Sequence, residues 1–145
     1  MKLENVIFYT IDKSIRSYRV FAQKRLREHG YSITIDQWLI LKVLMENPGI
    51  MQQEVAELVF KDNASITRII DLLVKSNYLK KTVNLKDKRK SNLKVTRAGE
   101  KTIMEVEKIV LENREIVLKG ISAEDMEVAN RVLNQIIENS QSSKK

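Results

Sequence analysis

Asp62-Asn63-Ala64-Ser65-Ile66-Thr67-Arg68-Ile69-Ile70-Asp71-Leu72-Leu73-Val74-Lys75 is the stretch on which the reading of this chain turns. Asp62 suits an N-cap, because its carboxylate accepts hydrogen bonds from the unpaired N–H groups of a helix's first turn. A helix is therefore expected over 63–75. Advancing about 100° per residue puts Ile66, Ile69, Ile70 and Leu73 on one face. The opposite face carries Ala64, Thr67, Arg68, Asp71 and Lys75: small or polar residues near the N-terminus and basic ones further along.

Upstream, a short helix is expected from Met51 to Val59, with Met51, Val55, Leu58 and Val59 inward and Gln52, Gln53, Glu54 and Glu57 outward. Asn47-Pro48-Gly49 marks a turn before it. Thr34 with Gln37 three residues on has the spacing of a capping box. Trp38 to Met45, polar only at Lys42, reads as a helix buried on all sides. A long first helix, about 4–29, carries the stripe Ile7, Ile11, Ile15, Tyr18, Ala22 and Leu26, more than so small a monomer is expected to cover. His29 reads as a helix-end residue. Downstream, alternation predicts two short strands, 79–84 and 92–95, joined by the basic tip Lys86-Asp87-Lys88-Arg89-Lys90. Thr96 and Ser122 cap two further helices. The first, from about Arg97 to Lys119, has the stripe Ile103, Val106, Ile109, Val110 and Val117; the second has Met126, Ala129, Leu133, Ile136 and Ile137. Gly30, Gly49, Gly99 and Gly120 are all expected where an element ends or begins, and none belongs to a phosphate-cradling cluster.

Composition narrows the function. The 145 residues include no cysteine, one histidine and one proline. That excludes disulfides and thiol chemistry and argues against a metal centre. No signal-peptide pattern and no membrane span is evident, so a cytoplasmic protein is expected. The net charge of +7 is unevenly placed: residues 61–101 hold 12 basic and 4 acidic side chains, a net of +8, while the rest nets −1. Such a basic segment points to a polyanion; its plainer reading is a solvated basic face.

A buried helix, a short helix, a short turn, a polar-fronted helix and a basic hairpin follow in the order of a winged helix-turn-helix. The expected fold is mainly α with a small β-hairpin wing. One domain spans 1–145, with the winged helix-turn-helix at 34–96 and dimerisation helices at 4–29 and 97–139. The polar-fronted helix suits a major groove: Asn63, Ser65, Thr67 and Arg68 offer donors and acceptors, and the Ala64 methyl matches a thymine methyl. The tip suits a minor groove, with Arg89 inserted and Lys86, Lys88 and Lys90 near phosphates. Asp87 is expected to brace Arg89 or another basic residue by a charge-assisted hydrogen bond. Plainer readings stand beside these. Arg68, Asp71 and Lys75 could form an intrahelical ion-pair ladder, and Arg89 could be a solvated loop charge.

Thr34-x-x-Gln37-Trp38, Glu54-Val55-Ala56, Ser65 to Asp71 with Leu73, Asp87-Lys88-Arg89 and Val95-Thr96-x-x-Gly99 together make the chain resemble the MarR family of bacterial transcription regulators. The resemblance implies a two-fold dimer, usually a repressor, on a pseudo-palindromic double-stranded DNA operator. It also implies DNA affinity that often falls when a small, frequently aromatic or phenolic, ligand binds; with no cysteine and a single histidine, no cofactor and no metal are expected. It makes 63–75 the recognition helix and Asp87 with Arg89 the wing motif. Tyr18, Phe21, Trp38 and Met45 are read either as an effector pocket or as plain core. Met51 stands where a small capping residue is common, and Asn77 where glycine is. The rival classes are a winged-helix protein-interaction module, which an apolar or acidic recognition face would mark, and a small enzyme. An enzyme would rest on Glu54 with Glu57 or Glu124 with Asp125, which read as outward or capping residues. A membrane-surface role would need a basic amphipathic helix.

Overall fold

A computed structural model describes residues 1–83, 85–87 and 91–142. The elements are α1 (Ile7–Glu28), α2 (Ile35–Glu46), α3 (Gln52–Leu58), α4 (Asn63–Lys75), β1 (Leu79–Val83), β2 (Ser91–Val95), α5 (Arg97–Val117) and α6 (Ala123–Ser142). The chain forms two compact units, Met1–Asn113 and Arg114–Lys145.

In the first unit α2 lies at the centre. Its start is fixed by the expected capping box: Gln37 N–H donates to Thr34 Oγ1 at 3.0 Å and Thr34 N–H to Gln37 Oε1 at 2.9 Å. Trp38, Ile40, Leu41 and Leu44 are buried and join Leu26, Val55, Ile66, Ile70, Leu73, Leu79, Val95, Ile103 and Val106 in one core. The Trp38 indole N–H donates to the Ile103 carbonyl at 3.2 Å, tying α2 to α5. Lys42, the polar interruption of the apolar run, has its Nζ 3.0 Å from Glu107 on α5. That hydrogen bond raises its pKa against the opposing effect of burial. Arg25 donates to Glu112 at 2.7 Å and to the buried Asn113 Oδ1 at 2.9 Å, tying α1 to α5.

The structure departs from expectation in two of these elements. α1 begins after a 3₁₀ turn, Leu3–Asn5, because Val6 adopts an extended conformation (φ −93°, ψ 109°) between the two. Met51 and Leu58 are 45% and 53% exposed rather than inward. α3 turns Val55, Ala56 and Val59 into the core; the inclusion of small Ala56 moves the buried face about 100° away from Leu58. Gly99 lies in the first turn of α5, where an element begins, and the reason for glycine there is space. A Cβ there would run into the Tyr78 carbonyl oxygen and stand 2.8 Å from Val95 Cγ1.

Three helices close by the same device, a residue at positive φ followed by an N–H that reaches back five residues. In α1 it is Gly30 (φ +83°), with Tyr31 N–H to Leu26 O at 3.0 Å. In α4 it is Asn77 (φ +65°), with Tyr78 N–H to Leu73 O at 2.9 Å, so asparagine takes the left-handed position as expected. In α3 it is Phe60 (φ +59°), with Lys61 N–H to Ala56 O at 3.0 Å. For a residue with a Cβ this conformation costs roughly 1–2 kcal/mol, and nothing in the sequence pattern announces it.

β1 and β2 pair antiparallel from Leu79↔Val95 to Val83↔Ser91. Thr96 locks the base of this hairpin: its hydroxyl donates to Asn77 O at 2.7 Å and accepts from Gly99 N–H at 3.0 Å. In the second unit Ser122 caps α6, accepting from Asp125 N–H at 3.0 Å. None of the described residues of α6 is buried, and Val128, Val132, Leu133 and Ile137 are exposed.

Gly99→Ala provides a test with an inverted sign. In an unobstructed helix the change would stabilise by about 0.5–1 kcal/mol. Here the close carbonyl makes it destabilising, by about 1–3 kcal/mol in urea unfolding.

Candidate nucleic-acid interface

α4 is anchored by its back. Ile66, Ile70 and Leu73 are buried, Ile69 is half-buried, and Asn63, Ala64, Thr67, Arg68, Asp71 and Lys75 are exposed or half-buried, as the 100° projection requires. Its start is fixed by Asp62, whose Oδ1 accepts from Ser65 N–H at 2.7 Å while Oδ2 accepts from the Ser65 hydroxyl at 3.1 Å. The backbone N–H and the hydroxyl of Ser65 hold the Asp62 carboxyl below its ordinary range, with a smaller contribution from the Arg68 charge. Arg68 Nη2 stands 3.5 Å from Ser65 Oγ.

Thr67 is engaged within the protein. Its hydroxyl donates to Asn63 O at 2.9 Å and accepts from Gln52 Nε2 at 2.7 Å. Gln52, which helical projection puts on the outward face of α3, therefore cross-links α3 to α4. Asp36 on α2 is a second residue that local patterns do not single out. Oδ1 receives Arg19 Nη1 from α1 at 2.7 Å, and Oδ2 lies 3.1 Å from Lys61 Nζ in the link between α3 and α4. Burial pushes this carboxyl up, but the two cations outweigh it and the net pKa lies below the usual value.

On the hairpin, Lys80 and Lys94 are exposed and directly opposite one another. Like charges in register are unfavourable, so this pair concentrates positive charge at a local cost. The two lysines line one cleft with Arg97, Thr96 and Glu100. Lys86 is exposed and Asp87 half-buried. Lys88, Arg89 and Lys90 lie outside the described residues, and with them the expected contact of Asp87 with Arg89. Tyr18 and Phe21 are half-buried on α1, and Trp38 is in the core. Met45 lines a cleft of about 370 Å³ with Pro48, Ile50, Leu93 and Lys94, among others, and none of Tyr18, Phe21 or Trp38 shares it. His29 Nδ1 lies 2.8 Å from the Arg25 carbonyl, at the end of α1. Among the described residues, no cluster of three or more histidines and acidic residues could hold a metal ion. No described helix is long and apolar enough to cross a membrane.

Residues 33–91 match the model of the MarR family. Over 107 residues the chain is 27% identical to the uncharacterized HTH-type transcriptional regulator YybA of Bacillus subtilis (strain 168), covering 74% of this chain and 71% of that one. A MarR transcriptional regulator from Methanosarcina mazei Go1 superposes with a TM-score of 0.77 at 25% identity, covering 94% and 96% of the two chains. The PcaV transcriptional regulator from Streptomyces coelicolor, solved in complex with its natural ligand, superposes with a TM-score of 0.81 at 18% identity, covering 97% of each chain.

The Asp36 bridge gives a pH test. A carboxyl whose folded pKa is depressed contributes stability that is whole above its unfolded pKa, about 4, and is lost as pH falls through the folded value. Asp36→Asn is expected to lower stability at pH 7 by on the order of 1 kcal/mol after solvent screening. The gap between mutant and wild type should close below about pH 4. A pH-independent gap in denaturant titrations would show that the ion pairs contribute nothing.

Proposed function

We propose that this chain is a winged helix-turn-helix DNA-binding transcription regulator of the MarR family, and that it acts as a homodimeric repressor whose hold on a pseudo-palindromic operator weakens when a small aromatic or phenolic effector binds. The observation that carries the reading is α4 itself: a helix with a buried apolar back and a polar front, inside a segment of net charge +8. In this reading Asn63, Ala64, Ser65 and Arg68 face base edges. Thr67 acts chiefly by holding α4 on α3, Lys80, Lys94 and the tip residues Lys86, Lys88 and Lys90 meet phosphates, and Arg89 enters the minor groove. The exposed polar and basic front argues against a protein-interaction module.

The dimer is supported by apolar side chains left in water. Ile7, Phe8, Ile15 and Val20 of α1 are exposed, as are Val128, Val132 and Ile137 of α6. Exposed apolar surface on this scale marks an interaction site, and a second copy presenting the same helices fits it. The effector is supported by PcaV having been solved with its natural ligand, and Tyr18 and Phe21 are the aromatic residues we assign to that site. No catalytic role is inferred: the matching family model and fold are those of transcription regulators, and of the candidate carboxylates Glu54 serves the start of α3. Asp125 sits in the capped turn of α6, and Glu54 accepts from Met51 N–H at 3.3 Å.

The chain should sediment as a dimer at micromolar concentration; a monomeric mass would contradict the assembly. On a duplex selected from random sequence, Arg68→Ala should weaken binding by about 1–3 kcal/mol per half-site and relax base choice at one position. Lys94→Ala should weaken all duplexes alike and flatten the plot of log affinity against log salt by about one unit for each phosphate no longer neutralised. Equal affinity of Arg68→Ala and wild type for every duplex would remove α4 from the interface.

A further inference from the structure

Phe60 is out of place by every local criterion. It is 92% exposed, it is aromatic, and its backbone is left-handed at φ +59°. The chain supplies its own controls, since the same closing device is made with Gly30 after α1 and Asn77 after α4, the two residue types that accept positive φ readily. Neither fold nor solubility needs a phenyl ring at this position. Strain of this kind persists where function requires the side chain.

Its place in the fold says what the ring is for. Phe60 sits in the link between α3 and α4, two residues before the Asp62 cap and three before Asn63, the first residue of α4. Its neighbour Lys61 is turned inward to Asp36 at 3.1 Å. Phe60 thus stands, in the chain, beside the N-terminal end of the helix assigned to base reading. Next to that end a duplex offers apolar carbon in two forms, thymine methyl groups in the major groove and deoxyribose carbons along its edge.

We propose that Phe60 is a DNA-contacting residue that packs its ring on apolar carbon of the duplex beside the N-terminus of α4. The inference rests on the DNA-reading function proposed above and adds to it a residue outside the helix and the wing. Phe60→Gly relieves the backbone and removes the ring; Phe60→Ala removes the ring and keeps a Cβ at positive φ. The expected result is a raised urea midpoint for Phe60→Gly and a midpoint near wild type for Phe60→Ala. Both variants should bind the selected duplex roughly tenfold more weakly per half-site at fixed salt, as removal of a buried apolar group from the interface implies. A duplex with uracil in place of thymine separates the two sources. If methyl groups are the target of the ring, wild type loses more affinity on it than Phe60→Ala, which retains only the Ala64 contribution; if deoxyribose is, both proteins respond alike and the Phe60→Ala loss is uniform across sequences. Binding of Phe60→Ala within twofold of wild type would overturn the proposal while leaving the DNA-reading function intact. So would a monomeric mass for Phe60→Ala, which would assign the ring to a subunit contact. Absence of duplex binding by wild type would overturn both.

Discussion

The close approach of Gly99 to the Tyr78 carbonyl is the constraint on which the arrangement of the reading half depends. At that point three elements meet: the end of α4, the start of the hairpin and the first turn of α5. Tyr78 O accepts from Thr96 N–H at 3.1 Å, and the Thr96 hydroxyl joins Asn77 O to Gly99 N–H. No side chain stands between the backbones, so the hairpin leaves α4 in one direction. Asn77 contributes the left-handed turn that brings the chain to this junction. The geometry follows from backbone hydrogen bonds and one missing Cβ rather than from the charged residues that the interface displays.

A second set of contacts ties the reading half to α1. Asp36 stands between Arg19 of α1 and Lys61 of the link that precedes α4, and Gln52 fixes α3 to α4 through Thr67. The orientation of α4 is thus set at its start by Asp62, at its middle by Gln52 and at its end by Asn77 and Thr96. What is left exposed on α4 is small or polar near its tip and, beyond it, charged at Arg68, Asp71 and Lys75, with Leu72 the apolar exception. Little reorganisation is then needed on binding, which limits the ordering cost that association carries.

Much of this is legible in the sequence, and the reason is locality. The Thr34–Gln37 box, the Asp62 cap, the back of α4 and the left-handed Asn77 depend on residues within one turn of each other, and each appears as expected. The bridges through Asp36 and Gln52 join residues 15 or more positions apart, where no periodicity points to a partner. Leu58 reads as inward because an apolar residue at helical spacing looks so until Ala56 is known to share the buried face. Gly99 resembles a helix boundary, since its close neighbour Tyr78 is distant in sequence. Phe60 carries no signal because aromatic residues have no preference for positive φ. The Lys80–Lys94 pair becomes visible only once the strand register is fixed.

In the proposed complex two copies of α4 enter successive major grooves on one side of a duplex. Dimethyl sulfate protection of guanine N7 on a selected duplex tests this most directly, since N7 lies in the major groove. Two protected clusters with two-fold related sequences are expected, centred about 10 base pairs or a multiple of that apart. Tight binding with phosphate contacts but no N7 protection, or a single protected cluster, would contradict this arrangement.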